Sequence, residues 1–294
     1  MHFELQPNKG NLSSKILDII LEGKNIIPVY QPIVSLSDGQ IFGYEALSRI
    51  FDNYLGIRIE NLFKLADKLG KSWELEALCR KKALKNAKEM DTQKKLFLNV
   101  NPNIIHDAEF KSGFTKSRLE KYGLNFKNIV FEITERSAIL NSETFFESIN
   151  HYKSQNYNIA IDDVGSGFSG LNTINEIRPN IIKLDMNLTR NIDKDEIKQN
   201  LCKAMVDFGK NCGIKLIVEG IETKEELKTL INLNVELGQG YYLGIPQETF
   251  VNIEPEKVKT IEKYQVASKT GKTLLKFKTK NMINKNIVEK AYGT

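Results

Sequence analysis

Eight apolar runs in this chain each stop at a carboxylate, an amide or a lysine: Gln31, Glu45, Asn99, Glu132, the adjacent Asp162 and Asp163, Lys183, Glu219 and Gln239. Glu45, Asn99, Glu132 and Asp162 are hard oxygen donors, the type that suits Mg²⁺ or Mn²⁺. The histidines, His2, His106 and His151, end none of these runs, which argues against an imidazole-based metal site. One acid at a strand end is ordinarily a solvated terminus. The whole set in one mouth is different, because carboxylates buried together repel, and desolvation raises their pKa values until several are neutral. Two divalent cations would remove that conflict. Neighbouring residues of a strand point to opposite faces, so Asp162 and Asp163 can serve one site only where the backbone twists. One of them could then bridge two cations while the other binds the second.

The elements that must position these groups follow from periodicity. A helix over 13–22 places Ile16, Ile19 and Ile20 on one side and stops at Gly23. Runs 26–34 and 40–47 flank a polar, Gly-containing connection and are expected to pair as an antiparallel hairpin. Further runs at 96–100, 129–133, 159–161, 181–184, 214–218 and 237–243 alternate with helical patterns at 59–69, 73–90, 143–154, 195–212 and 224–233. Thr223 and Glu226 have capping-box spacing at the start of the last of these. Strand and helix alternation implies parallel pairing with right-handed crossovers. The expected fold is an α/β, TIM-like (β/α)8 barrel with one inverted strand near the N-terminus. In such a barrel the loops after the strands converge, so the polar strand ends would face one another. An open sheet would leave several of them without use.

Length and composition agree with one large domain. The chain has 294 residues and 41% hydrophobic content, and α/β barrels commonly occupy about 250 residues. Cys79, Cys202 and Cys212 are far apart without CxxC spacing, and are expected to be buried small hydrophobes in a reduced compartment. Neither a signal peptide nor an apolar run long enough for a membrane span is evident, giving a cytoplasmic expectation. Net charge is +5, yet residues 253–294 hold ten Lys against four Glu, which leaves the rest near −1. A general nucleic-acid binder is therefore disfavoured. Domain bounds are read as 1–252 for the barrel and 253–294 for a Lys-rich extension, partly helical near 254–267 or mobile. Residues 268–273 superficially evoke a phosphate loop, but Val266 stands where its first glycine belongs. Removing residues after about Glu256 is expected to leave activity measurable.

The segments Tyr44-Glu45-Ala46-Leu47-Ser48-Arg49, Leu98-Asn99-Val100, Phe131-Glu132-Ile133-Thr134-Glu135, Ile161-Asp162-Asp163-Val164-Gly165-Ser166-Gly167, Ile182-Lys183-Leu184-Asp185, Val218-Glu219-Gly220-Ile221-Glu222 and Gln239-Gly240-Tyr241 resemble, in order, the motifs of the EAL-domain cyclic di-GMP phosphodiesterases. The resemblance covers about 26–246. It implies metal-dependent hydrolysis of cyclic di-GMP to linear pGpG, by in-line attack of a hydroxide bridging two Mg²⁺ or Mn²⁺ ions, with Ca²⁺ inhibitory. By the same resemblance Glu45, Asn99, Glu132 and Asp162 hold one metal, and Asp162, Asp163 and Glu219 the other. Lys183, Glu219 and Gln239 are the catalytic set, Lys183 and Gln239 handling the water. Gln31, Arg49 and Glu222 bind substrate, and Glu135 fastens the 165–167 loop. Arg49 suits a phosphate because its planar fork donates two parallel hydrogen bonds.

Two positions depart from the family pattern. Val164 replaces an aromatic residue in the loop that couples the site to a dimer interface, and Ile245 replaces a basic residue before Pro246. Weaker substrate affinity and altered dimer coupling are the expected consequences. Implied partners are cyclic di-GMP, a homodimer copy and a separate regulatory protein; no DNA or RNA polymer and no membrane insertion are expected. The alternative reading is a catalytically silent cyclic di-GMP receptor acting through a partner. A Schiff-base lyase using Lys183 would leave the acids unexplained.

Overall fold

The hairpin and the alternating units close into a ring in the computed structural model, which describes residues 10–22, 25–51, 56–101, 104, 110–134, 142–167 and 170–270. Its strands are β1 (Ile26–Ser35), β2 (Ile41–Ile50), β3 (Lys95–Asn99), β4 (Ile129–Thr134), β5 (Asn158–Val164), β6 (Ile181–Leu184), β7 (Lys215–Val218) and β8 (Leu237–Gly238), in a closed barrel in that order. β1 is antiparallel to both neighbours, β2 and β8. Every other adjacent pair is parallel. β8 is much shorter than the run at 237–243 suggests. Beyond Gly238 the chain turns inward beneath the Ile221 backbone, where a Cβ on Gly240 would meet the Ile221 carbonyl oxygen at 2.2 Å.

A stride of two residues organises the barrel interior. Ile33, Phe97, Val130, Ala160, Ile181, Ile217 and Leu237, with Phe42 against them, form an apolar plug across the barrel. Two residues further towards one mouth, counted backwards on the inverted β1, stand Gln31, Asn99, Glu132, Asp162, Lys183, Glu219 and Gln239. The plug keeps water from the floor beneath those polar groups. Its alternating inward side chains are also the reason a regular strand brings one residue to the floor of the site.

Helices α1 (Gly10–Leu21), α2 (Ile59–Lys68), α3 (Ser72–Asn86), α4 (Phe114–Tyr122), α5 (Ser142–Ser154), α6 (Gly170–Ile177), α7 (Met186–Thr189), α8 (Glu196–Cys212) and α9 (Lys224–Asn232) connect the strands or flank them. Sequence periodicity missed α4, α6 and α7, which are short. The α1 stripe is rotated from expectation: Leu17 and Ile20 are buried against Leu62, Leu75 and Cys79, while Ile19 is 53% exposed. Cys79 and Cys202 are buried as expected, but Cys212, at the solvent-facing end of α8, is exposed. The capping box at Thr223 and Glu226 forms. A further helix, α10 (255–270), packs on the barrel: Ile253 and Ile261 enter the main core, and Gln265 Nε2 donates to the Leu36 carbonyl at 2.7 Å. Residues 271–294 lie outside the described residues. Among the described residues no helix is long and apolar enough to cross a membrane.

Candidate active site

Glu45 reaches the polar mouth from β2, paired in register with Gln31 of β1, so the inverted strand contributes to the same floor as the parallel ones. Its Oε1 accepts from Asn99 Nδ2 at 2.9 Å and its Oε2 from Gln239 Nε2 at 2.7 Å. Gln239 Nε2 also donates to Gln31 Oε1 at 3.1 Å, and Gln31 Nε2 to the Gly244 carbonyl at 3.2 Å. The amides thus hold the Glu45 carboxylate from two sides and tie it to the loop after β8.

Lys183 is the centre of the cluster. Its side chain is 1% exposed, and Nζ lies 3.3 Å from Glu45 Oε2, 2.8 Å from Glu132 Oε1, 3.2 Å from Asp162 Oδ1 and 2.7 Å from Glu219 Oε1. One ammonium faces four carboxylates, so the interior carries excess negative charge. Glu132 bears most of the conflict: its Oε1 is close to Lys183 but poorly aligned for a hydrogen bond, and its buried Oε2 has no hydrogen-bond partner among the described residues.

The pKa directions express the same imbalance. Burial, with Glu45 and Asp162 adding repulsion, raises Glu132 well above the usual carboxylate range. Burial likewise raises Asp162 and pushes Glu219 up to about 8 and Asp163 to about 6, in each case against the pull of Lys183. Burial would raise Glu45 too, but Lys183 and the amides of Gln239 and Asn99 hold it below its ordinary value. Desolvation pulls Lys183 down, yet the surrounding carboxylates leave it well above its ordinary value.

The problem of two adjacent aspartates is solved by a bulge. The β5–β6 register shifts between Ile161 and Val164, and Asp163 takes a left-handed conformation with φ 58°. Its N–H donates to Asp162 Oδ1 at 3.0 Å. Asp and Asn are the side chains that tolerate this backbone best. Two triads of carboxylate oxygens result, Glu45, Glu132 and Asp162 in one and Asp162, Asp163 and Glu219 in the other, each with its oxygens within 4.8 Å of one another. Asp162 belongs to both. The all-oxygen donor set and the orphaned Glu132 oxygen fit a pair of hard divalent cations.

The remaining candidate residues lie farther out. Arg49, four residues beyond Glu45 on β2, is exposed, and its Nη1 donates only to the Ser48 carbonyl at 2.9 Å among the described contacts. Glu222 is not in the carboxylate cluster. Arg190, which follows α7, grips it with two guanidinium nitrogens, one at 2.6 Å from Oε1 and the other on Oε2. Val164 is buried in the main core, pairing with Leu184, while Ile245 is 51% exposed. Glu135 lies outside the described residues, as do His2 and His106. His151 stacks edge-on with Phe110, away from the cluster.

Two supports escaped sequence reading. Glu226 was legible only as a helix cap, yet its carboxylate also accepts from Asn191 N at 2.9 Å and Glu222 N at 2.9 Å. It therefore joins the loops after β6 and β7, which also meet where a Cβ on Gly220 would strike Met186 Cβ at 2.4 Å. Glu76 and Arg80 form a buried i,i+4 ion pair on α3, and Glu76 Oε2 accepts from Asn101 N at 3.2 Å, two residues past Asn99. Such spacing is common on any helix surface, so nothing marked this pair as buried.

Comparison with known proteins places this geometry. Residues 14–246 match the family model for the EAL domain. Cyclic di-GMP phosphodiesterase PdeA of Borreliella burgdorferi is 30% identical over 223 residues, 74% of this chain and 33% of that protein. Probable cyclic di-GMP phosphodiesterase PdeG of Escherichia coli is 27% identical over 251 residues, 81% of this chain and 48% of that protein. The chain thus spans half or less of these curated relatives. Among solved structures, a standalone EAL protein from Vibrio cholerae O395 in its c-di-GMP-bound form superposes with a TM-score of 0.68 at 32% identity, covering 79% of this chain and 97% of that one. A Klebsiella pneumoniae BlrP1 manganese/cy-diGMP complex gives 0.70 at 25% identity, covering 79% and 58%.

Proposed function

Because this chain belongs to the EAL domain family, we propose that it is a cytoplasmic, metal-dependent phosphodiesterase that opens cyclic di-GMP to linear pGpG. The observation that carries the proposal is the pair of carboxylate triads sharing Asp162 around one buried lysine. Glu45, Asn99, Glu132 and Asp162 would hold one Mg²⁺ or Mn²⁺, and Asp162, Asp163 and Glu219 the second. Bound there, the two cations supply Lewis acidity to the phosphodiester and lower the pKa of water.

The chain's own residues do the rest. Gln239 and Asn99 hold the Glu45 carboxylate at both oxygens, so it needs no reorganisation when substrate arrives. Lys183 keeps its ammonium at the floor of the mouth, where it can offset charge on phosphoryl oxygens and orient the attacking water. Glu219 accepts from that ammonium at Oε1, 2.7 Å away, which fixes its carboxylate beside Asp162 and Asp163 for the second cation. Arg49 offers its fork to a phosphate at the exposed end of β2. Glu222, held by Arg190, presents its carboxylate at the rim and serves substrate from there. Gln31 joins the Gln239 side chain to the Gly244 loop and so shapes the substrate side.

The test is incubation of the pure chain with cyclic di-GMP and Mn²⁺, followed by separation of nucleotides. Production of pGpG that stops with chelator is the expected result. Retained cyclic di-GMP binding without pGpG would overturn the enzyme reading in favour of a silent receptor.

A further inference from the structure

The stride of two that builds the carboxylate mouth also builds a polar layer at the opposite end of the barrel. Two residues before the plug residues Phe97, Ala160 and Ile217 stand Lys95, Asn158 and Lys215. Here the barrel presents ammonium and amide groups in place of acids. Lys95 Nζ donates to the Lys127 carbonyl at 2.7 Å and Asn158 Nδ2 to the same oxygen at 3.0 Å, which ties the starts of β3 and β5 to the turn before β4. Lys215 Nζ stands 5.7 Å from the centre of the Phe42 ring.

Lys95, Phe126, Lys127, Asn156 and Asn158 line an open groove of about 480 Å³ at this end, a volume within the range that holds small ligands. Among the described residues no carboxylate lines it. Among the described residues none forms an ion pair with Lys95, Lys127 or Lys215. Burial and the Lys215 charge hold Lys95 below its ordinary pKa, so an anion beside Lys95 would favour its charged form. Phe126, 40% exposed, offers a ring on the wall of the same groove.

We propose that this groove binds the phosphate of a nucleotide, with Lys95 and Lys127 on the anion, Lys215 reinforcing the field, and Phe126 and the amides of Asn156 and Asn158 on the base. Lysine suits the role as a compact point charge with three donors, of which Lys95 spends one on Lys127. An aromatic face accepts any base by stacking; Asn156 supplies a donor and an acceptor to its edge, and Asn158, whose Nδ2 is spent on the Lys127 and Ile129 carbonyls, supplies its Oδ1 acceptor. The apolar plug separates this groove from the carboxylate mouth, so its ligand is an effector and not the substrate undergoing hydrolysis.

Calorimetric titration of the full chain with GMP, inorganic phosphate and guanosine tests the proposal. Excess EDTA keeps cation-borne phosphate binding at the other mouth out of the signal. Saturable one-to-one GMP binding is expected, at least tenfold weaker in Lys95→Met and in Lys215→Met, each checked for an unchanged unfolding midpoint. Phosphate should bind more weakly than GMP, by about the factor lost in Phe126→Ala, and guanosine should not bind measurably. Hydrolysis of cyclic di-GMP in either lysine variant should stay within twofold of wild type, so failure here is distinguishable from failure of the enzyme reading. Equal GMP affinity in wild type and both lysine variants, heat that never saturates, or equal affinity for phosphate and GMP would overturn the assignment.

Discussion

Replacing Lys183 by Met keeps most of the side-chain volume and removes the one cation among four carboxylates. The Nζ contacts run from 2.7 to 3.3 Å and the side chain is 1% exposed. Removing one partner of a buried pair costs about 3–5 kcal/mol because the other charge is left unpaired. In a domain of this size that corresponds to roughly 6–20 °C in the unfolding midpoint. The loss should depend on pH, and its sign is fixed by the groups that remain. Lys183 has a raised folded pKa, so its stabilisation is fully present below the ordinary lysine value and constant across neutral pH. Glu219, near 8, and Asp163, near 6, are also raised above their ordinary values, so the metal-free fold loses stability as pH rises through those values. Without Lys183 that loss steepens, and the deficit of Lys183→Met should grow from pH 6 to pH 8. Divalent cation should repair it: occupancy at about 100 times Kd adds about 2.7 kcal/mol. Urea unfolding of both proteins in EDTA and in Mn²⁺, at pH 6 and pH 8, reads all three effects. Equal midpoints in EDTA, or a deficit indifferent to both pH and Mn²⁺, would refute the view that Lys183 neutralises the empty mouth.

Other consequences can be measured separately. Asp162→Asn should weaken binding of both cations because Asp162 belongs to both triads, whereas Asp163→Asn should weaken one; Mn²⁺ titration followed by electron paramagnetic resonance counts the sites. Arg49→Ala, losing a charged fork at the rim, should raise KM for cyclic di-GMP about 10–100-fold and leave Mn²⁺ affinity unchanged. Glu226→Gln should cost about 1–3 kcal/mol at pH 7 by weakening the join between the loops after β6 and β7. Burial would raise the Glu226 pKa, but backbone N–H donors from Glu222, Asn191 and Thr223 hold it below 4.5. Its contribution is therefore present above that value and lost as pH falls through the folded pKa, and the two proteins should converge in acid. Ile261→Ala should cost about 2–5 kcal/mol, since that side chain is fully buried in the main core; truncation after Glu256 should lower the melting midpoint by at least as much.

The barrel and its polar floor were legible because they rest on a local code. Each strand needs only an apolar residue followed two places later by a polar one, and that pattern survives in five residues of sequence. Features that depend on partners distant along the chain were not legible. Arg190 meets Glu222 across 32 residues, and nothing near either position foretells it. Glu226 advertised its cap on Thr223, three residues away, but its bond to Asn191 closes only when β6 and β7 lie side by side. Likewise a helix near 254–267 was legible, but its place in the fold was not, because four lysines hide one apolar stripe. Its weight became visible only when Ile261 was found inside the core.

The same stride explains why, on the proposed reading, the carboxylate mouth would favour cations over water. A polar residue two places beyond an apolar plug is necessarily backed by hydrocarbon, so its charge can be balanced only by neighbours in its own layer or by something entering from above. The layer contains Glu45, Glu132, Asp162 and Glu219 against one Lys183, and Asp163 is turned towards them by the bulge. Side-chain amides from Asn99 and Gln239 satisfy only Glu45. Glu132, at the deepest point and with an oxygen bonded to nothing, is consequently the group that gains most when a cation arrives. Were the plug residue beneath it polar, for instance Val130→Thr, a hydroxyl could reach that oxygen and the demand would fall. Mn²⁺ affinity of Val130→Thr should then drop with the oxygen ligands untouched, a loss that a purely ligand-counting account of the site does not anticipate.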